Sequence, residues 1–219
     1  MQLIDLSQTI EPGMPTFSPS APQPKIYPWL SHAQAASSDT YLGCSCEITE
    51  VRFLTSLGTY IDSPYHFHPE KKQIGDLELE QLVLPGLVVD CTAAEKRQPI
   101  TPKVLKGLSI SGKAVLFQTG WSQYWGKTEY SDHPYLTQET AEALIDGGAR
   151  LAGVDFLVID SMRDPKRPVH VALLEKDILI VENLTNLQRI PSRSFTFHAA
   201  PVKIAGAASF PIRAYAVMS

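Results

Sequence analysis

Short apolar runs, bounded by glycine or polar residues, constrain the fold of this chain most strongly. LVVDC and KAVLFQT are rich in β-branched and aromatic residues, which predicts buried strands. RLAGVDFLVID and DILIVEN show the same pattern, CEITEVRFL alternates in polarity, and PVKIAG and FPIRAYAV close the chain. The predicted strands cover residues 46–54, 87–91, 113–119, 150–160, 177–183, 201–206 and 210–217.

Helix signals are fewer than strand signals. Thr101 and Pro102 predict the start of a short helix that runs to about Gly107. Thr137 predicts the cap of a second helix, which ends at a pair of glycines, 147–148. Because helices alternate with strands only in the middle of the chain, we predict an α/β fold with a mixed, barrel-like β core flanked by helices, rather than a doubly wound fold.

The length of 219 residues fits a single domain that covers residues 1–219. Of the 17 prolines, a group crowds residues 12–28. The fixed φ and the missing N–H of proline exclude helix interiors and central strands there. We therefore predict that residues 12–28 form an extended arm.

Composition excludes several classes of protein. The chain is 44% hydrophobic and 19% charged with a net charge of -4, which excludes wholesale disorder and a strongly basic nucleic-acid binder. No apolar run approaches the roughly 20 residues that a bilayer requires. The N-terminus lacks the pattern of a secretory signal, so we expect a cytoplasmic protein without a membrane partner. Cys44, Cys46 and Cys91 lack CxxC spacing, which disfavours a disulfide framework or a zinc knuckle.

Nucleotide and serine-hydrolase motifs are missing from the sequence. It contains no GxGxxG, no GxxxxGK[ST] and no GxSxG. The usual dinucleotide and nucleoside triphosphate sites and a Ser-His-Asp hydrolase are therefore disfavoured.

A first group of candidate residues lies in SLGTYIDSPYHFHPE, residues 56–70, just after a predicted strand. Asp62 is a candidate metal ligand or partner for a base, and His66 suits proton transfer near neutral pH. His68 lies two residues further on. The alternative is that Asp62 caps a turn and that both histidines are surface groups.

A second group consists of His170 and Glu182. Glu182 ends the apolar run DILIV, where a carboxylate is costly to desolvate unless a cation or hydrogen bonds receive it. The alternative is a surface salt bridge from Glu182 to Arg189 or Lys203.

Several blocks in order resemble the cyclase family of kynurenine formamidase-like and isatin hydrolase-like metal-dependent hydrolases. The opening DLSQTIEPGMP is similar to the family's DLS…GMP, and SLGTYIDSPYHF is similar to its HxGTHxDxPxHF signature. QTGW, GVDFLVID and the pair of His170 with ENLTNL resemble later blocks. The resemblance implies a single domain of the family's swivelling β/β/α type.

The resemblance also implies roles for individual residues. Members with the full signature are understood to hold two divalent ions, the first bound by two histidines that this chain replaces with Ser56 and Tyr60. Asp62, His170 and Glu182 match the ligands of the second ion, and His66 matches the histidine assigned to proton transfer.

Serine and neutral tyrosine bind divalent ions poorly compared with imidazole, so the expected cofactor is one zinc or manganese ion per chain. In a second version, His68 or Tyr60 reaches the ion as a replacement ligand. In a third version no metal is used, and Asp62 and Glu182 serve as acid–base groups around His66, or the site only binds.

The implied activity is hydrolysis of an amide or formamide carbon–nitrogen bond in a small substrate, in the manner of an arylformamidase of tryptophan catabolism. The rival is a non-catalytic binding protein of the same fold. Trp121, with Tyr124 and Trp125, could stack on an aromatic substrate or could pack in the core. Arg163, Lys166 and Arg167 could meet a substrate carboxylate or could be solvated.

The resemblance further implies a homodimer or homotetramer, in which the proline-rich arm reaches a neighbouring copy. Of the other three histidines, His133 and His198 are expected to be structural, and His32 is assigned no role.

Overall fold

A nine-stranded mixed sheet forms the centre of the protein in the computed structural model, which describes residues 2–191 and 194–218. The strands are β1 (Gln2–Asp5), β2 (Lys25–Leu30), β3 (Ile48–Arg52), β4 (Tyr60–Asp62), β5 (Val83–Asp90), β6 (Pro99–Ile100), β7 (Ala114–Gln118), β8 (Tyr135–Leu136), β9 (Leu151–Val154), β10 (Leu179–Glu182), β11 (Phe195–His198), β12 (Ser209–Pro211) and β13 (Tyr215–Met218). The α-helices are α1 (His32–Ala36), α2 (Leu79–Leu82), α3 (Gln138–Asp146) and α4 (Pro168–Glu175). Short 3₁₀ helices cover Pro64–His66, Ile74–Asp76, Pro102–Leu105, Trp121–Tyr124, Thr128–Asp132 and Leu187–Arg189.

The sheet runs in the order β1-β13-β11-β5-β7-β9-β10-β4-β12. Its centre, β5-β7-β9-β10, is parallel, and the strands on both sides pair antiparallel. Parallel strands covered on both faces are apolar along their whole length, which explains the runs at 87–91, 113–119 and 177–183. Those three strand predictions are confirmed.

Two cores lie on opposite faces of the sheet. Val115 and Phe117 of β7 point into the core beneath α3 and α4, which also contains Leu144. Leu116 points into the other core, which the curled sheet encloses with residues such as Phe197. This half-barrel with few helices confirms the predicted mixed, barrel-like α/β fold.

The helix predictions hold to different degrees. The Thr137 hydroxyl accepts the Thr140 N–H, and α3 ends at Gly147, as predicted. The predicted helix after Thr101 is only a 3₁₀ segment, Pro102–Leu105, and the Thr101 side chain makes no capping bond.

Three strand predictions are wrong in part or in whole. The predicted strand at 210–217 is divided into β12, which pairs with β4, and β13, which pairs with β1 and β11. β9 ends at Val154, and residues 155–160 form a buried loop, because the carboxylates of Asp155 and Asp160 bond backbone N–H groups instead of extending a strand. Residues 201–206 form no strand; Pro201 makes a single bridge, and Val202 is 65% exposed.

The predicted strand at 46–54 is present as β3, but it pairs with β2 outside the central sheet. The proline-rich segment leads into β2, after Thr16 has bridged to Leu57. We name the pair β2 and β3 the β2–β3 ribbon. Among the described residues, no helix has the length and apolar character to cross a bilayer.

Candidate active site

Asp62 lies at the centre of the candidate site. It ends β4, which pairs with β10 on one side and with β12 on the other. The side chain is fully buried, and neither carboxylate oxygen has a hydrogen-bond partner in the described part of the chain. The prediction's alternative, a surface turn cap, is therefore wrong.

His66 lies on the short 3₁₀ helix Pro64–His66, directly after β4. Its Nε2 is 3.8 Å from Oδ1 of Asp62. The His66 side chain is 31% exposed, whereas Asp62 is not exposed at all, so His66 is the member of the group that solvent reaches. Its ring packs edge-on against Phe67, which fixes its orientation.

His170 comes from the first turns of α4 and is buried. Its Nδ1 is 2.5 Å from Oδ2 of Asp160, whose carboxylate also accepts the N–H groups of Val169 and His170. The Asp160 carboxylate thereby holds the ring so that Nε2 faces Asp62 at 3.7 Å and Oε1 of Glu182 at 3.4 Å. Burial alone would lower the pKa of His170, but the carboxylates of Asp160, Asp62 and Glu182 outweigh it and raise the pKa to about 10.

Glu182 ends β10, directly opposite Tyr60 in the antiparallel register. Its Oε1 accepts the Ile159 N–H at 2.6 Å, and its Oε2 accepts a short hydrogen bond from the Tyr60 hydroxyl. Burial raises the pKa of Glu182 and, together with the neighbouring carboxylates, raises the pKa of Tyr60. The alternative of a surface salt bridge to Arg189 or Lys203 is wrong, because Glu182 is fully buried.

The donor set of this group fits a divalent cation. The candidate ligand atoms of Asp62, His66 and His170 all lie within 4.8 Å of one another. A fully buried carboxylate with no partner is costly unless a positive charge receives it, and mixed imidazole and carboxylate donors suit zinc or manganese. This group contains His66 where the sequence predicts Glu182, so the predicted ligand set stays a prediction.

A cavity of about 220 Å³ opens onto these groups, and we name it the catalytic cavity. Phe17 from the proline-rich segment, Phe67 and Val158 form apolar parts of its wall, and Arg167 adds a cation. Its polar wall residues are Ser56, Tyr60, His66, His170 and Glu182.

The two residues that replace the family's histidines both line this cavity, but each is already hydrogen-bonded. The Ser56 hydroxyl lies 2.9 Å from the Ser209 hydroxyl, and the Tyr60 hydroxyl donates to Glu182. Each of the two hydroxyl groups therefore has a hydrogen-bond partner within this chain.

Other candidate residues lie outside the cavity. Nε2 of His68 is 3.0 Å from the Val171 carbonyl oxygen, so the ring packs against the outside of α4 and does not join the group. The Trp121 indole donates to the Tyr130 carbonyl at 3.2 Å and packs in the core beneath α3 and α4. Neither His68 nor Trp121 lines the catalytic cavity.

Sequence reasoning missed Asp160, which orients His170, and Phe17, which reaches the cavity. A signal for Asp160 was present: it ends the apolar run GVDFLVI, which is the argument that identified Glu182. No local signal marks Phe17, because its place depends on the path of the arm.

Comparisons with known proteins agree with this geometry. A family model described as "Putative cyclase" matches residues 4–161. A kynurenine formamidase from Salinibacter ruber is 30% identical over 216 residues, which cover 98% of this chain and 96% of that protein. Isatin hydrolase A from Ralstonia solanacearum superposes with a TM-score of 0.88 at 26% identity, covering 100% of this chain and 92% of that one. A predicted metal-dependent hydrolase from Bacillus stearothermophilus superposes with a TM-score of 0.78 at 26% identity, with 98% and 97% covered.

Proposed function

Because this chain belongs to the cyclase family, we propose that it is a metal-dependent hydrolase that cleaves an amide or formamide carbon–nitrogen bond in a small substrate. The observation that carries the proposal is the fully buried, unpartnered carboxylate of Asp62, which faces two imidazoles at the wall of a cavity. A purely structural core has no use for such a carboxylate.

The proposed cofactor is one divalent ion, zinc or manganese, held by Asp62, His170 and Glu182. Oε1 of Glu182 accepts one hydrogen bond, from Ile159, and a carboxylate oxygen has a second lone pair. When bound, the ion would supply a Lewis acid that polarises the substrate carbonyl.

Proton transfer is assigned to His66. Its Nε2 would take a proton from the attacking water and deliver it to the leaving nitrogen. His66 is the most exposed of the four polar groups at the centre of the site, so water and the leaving group can both reach it. Asp62, 3.8 Å from Nε2, would stabilise the protonated imidazole.

The proposed substrate is an aromatic formamide or cyclic amide. Phe17, Phe67 and Val158 offer an apolar wall for a ring, and Arg167 offers a cation for a carboxylate. The similar proteins include a kynurenine formamidase and an isatin hydrolase. An arylformamidase role in tryptophan catabolism is therefore the first activity to test.

The replaced ligands, Ser56 and Tyr60, favour a second candidate function, a metal-free or non-catalytic binding protein. Elemental analysis and an assay on N-formylkynurenine with and without chelator separate the two. We expect about one divalent ion per chain and loss of turnover on chelation; a metal-free, inactive protein would support the binding function.

We further propose that the chain is cytoplasmic and forms a homodimer or homotetramer through the β2–β3 ribbon. Ile26, Trp29, Ile48 and Val51 of this ribbon are each more than 40% exposed, which is unusual for a cluster of large apolar side chains. Light scattering of the wild type and of a Trp29→Ser, Val51→Ser variant tests this, because the variant should shift toward monomer. An unchanged assembly would place the interface elsewhere.

A further inference from the structure

A second cavity, of about 420 Å³, lies beside the catalytic cavity and shares none of its lining residues. Its wall includes Arg97, His133, Tyr135, Ser161 and Arg163. The volume lies in the range of small-molecule sites. The proposed hydrolytic reaction uses none of these residues.

His133 is the first sign that this cavity receives a ligand. Its Nδ1 is 2.7 Å from the Pro134 carbonyl oxygen, which can only accept, so Nδ1 carries the proton. Nε2 is then a bare acceptor, and it has no partner in the described part of the chain although the residue is only 3% exposed. Buried polar atoms are rarely left unpaired, so this nitrogen calls for a donor from outside the chain.

The ring of His133 is held in place and is neutral. It stacks on Phe156 with centroids 5.0 Å apart. Burial, with a smaller contribution from the nearby Arg167, lowers the pKa of His133 to about 4, so Nε2 stays an acceptor near neutral pH.

The charge of the wall is the second sign. Asp132 forms ion pairs with both Lys96 and Arg97, so one carboxylate serves two cations. Of the two cations of the wall, Arg97 is thus already paired, whereas the guanidinium of Arg163 makes no ion pair among residues 2–191 and 194–218. The excess positive charge suits an anionic ligand, and guanidinium groups pair well with carboxylates.

We propose that this second cavity binds a small hydroxylated carboxylate, whose carboxylate pairs with Arg163 and Arg97 and whose hydroxyl donates to Nε2 of His133. The site is separate from the catalytic cavity but adjoins it. The Ser161 carbonyl of its wall accepts a hydrogen bond at 2.8 Å from Arg167, which lines the catalytic cavity.

Two probes test the hydroxyl contact: 4-hydroxybenzoate and benzoate, titrated calorimetrically into the metal-loaded wild type. We expect 4-hydroxybenzoate to bind once per chain, about three- to ten-fold more tightly than benzoate, because only it can donate to His133. His133→Phe should remove this preference. Equal affinities for the two probes in the wild type, or no binding of either, would contradict the proposal.

Charge variants locate the probe. Arg163→Gln should weaken 4-hydroxybenzoate binding about ten-fold or more, because it removes a charge-assisted contact. Lys166→Gln is the matched control, since it removes an exposed cation of the same loop that does not line the cavity. Asp62→Asn should leave binding unchanged. Unaltered binding in Arg163→Gln overturns the proposal, and loss of binding in Asp62→Asn alone would put the probe in the catalytic cavity.

Discussion

Two fully buried carboxylates lie beside the imidazole of His170 in the candidate site, and they differ in hydrogen bonding. Asp62 and Glu182 end neighbouring antiparallel strands, β4 and β10. Both oxygens of Asp62 lack a partner among the described residues, whereas those of Glu182 accept bonds from Ile159 and Tyr60. The two carboxylates are therefore equally buried, but only that of Glu182 has its hydrogen-bonding capacity met by the described chain.

This difference indicates where the chain leaves room for a cation. On the Glu182 side, the Tyr60 phenol already donates a hydrogen bond to Oε2, and a second ion would have to displace this donor. On the Asp62 side, nothing from the described chain neutralises the carboxylate except the imidazoles of His66 and His170, at 3.7 Å or more. From this asymmetry we expect a single ion next to Asp62.

The largest expected effect is that of Asp62→Ala. It removes the unsatisfied carboxylate, so we expect loss of the bound ion and of turnover. The added stability that metal gives the wild type should vanish, because a ligand stabilises only the state that binds it. Elemental analysis and thermal unfolding with and without metal measure both effects. Unchanged metal content in this variant would contradict the inference that the unpartnered carboxylate of Asp62 holds the ion.

The next effect in size is that of His66→Ala. If His66 carries the proton, kcat should fall about 10²- to 10⁴-fold while the ion stays bound. His68→Ala is the matched control, since His68 contacts the Val171 carbonyl outside the cavity, and its kcat should hardly change. Loss of the ion in His66→Ala would make His66 a ligand instead, as its place in the three-residue group allows.

The fold could be predicted where burial alone decides the local structure. β7 and β10 are covered on both faces, so continuous apolar runs mark them in the sequence. Prediction failed at 155–160, where buried aspartates bond the backbone, and at 201–206, where a proline and exposed side chains interrupt pairing. Those outcomes depend on tertiary contacts that periodicity does not contain.

Predicting the site required more than spacing. Spacing leaves Glu182 either beside His170 in a candidate site or in a surface salt bridge, and only the family resemblance groups this pair with Asp62. The bond from Tyr60 to Glu182 follows from the register of two strands about 120 residues apart in sequence, which no local pattern encodes. Tyr60 was therefore identified as a lost ligand but not as the partner of Glu182.

A smaller effect is expected from Tyr60→Phe, which would leave Oε2 of Glu182 without its donor. The free energy of unfolding of the metal-free protein should fall by about 1–3 kcal/mol. Tyr130→Phe is the control, because Tyr130 is also fully buried but donates to the neutral amide oxygen of Asn183, at 2.8 Å. The loss of unfolding free energy in Tyr130→Phe, measured by chemical denaturation, should be smaller than in Tyr60→Phe, since hydrogen bonds to charged groups are stronger. Equal costs would indicate that Glu182 is not charged in the metal-free protein.

The smallest expected effect is a gain: Ser56→His with Tyr60→His should raise the metal content from one toward two ions per chain. The two imidazoles would replace a hydroxyl bonded to Ser209 and a phenol bonded to Glu182, and Glu182 would be freed on its second oxygen. Occupancy should be partial, because imidazole ligands bind well only when neighbouring groups orient them, as Asp160 orients His170. Tyr60→His alone is the control and should stay at one ion. If the double variant also stays at one, hydrogen bonding by Tyr60 is not what limits this cavity to a single cation.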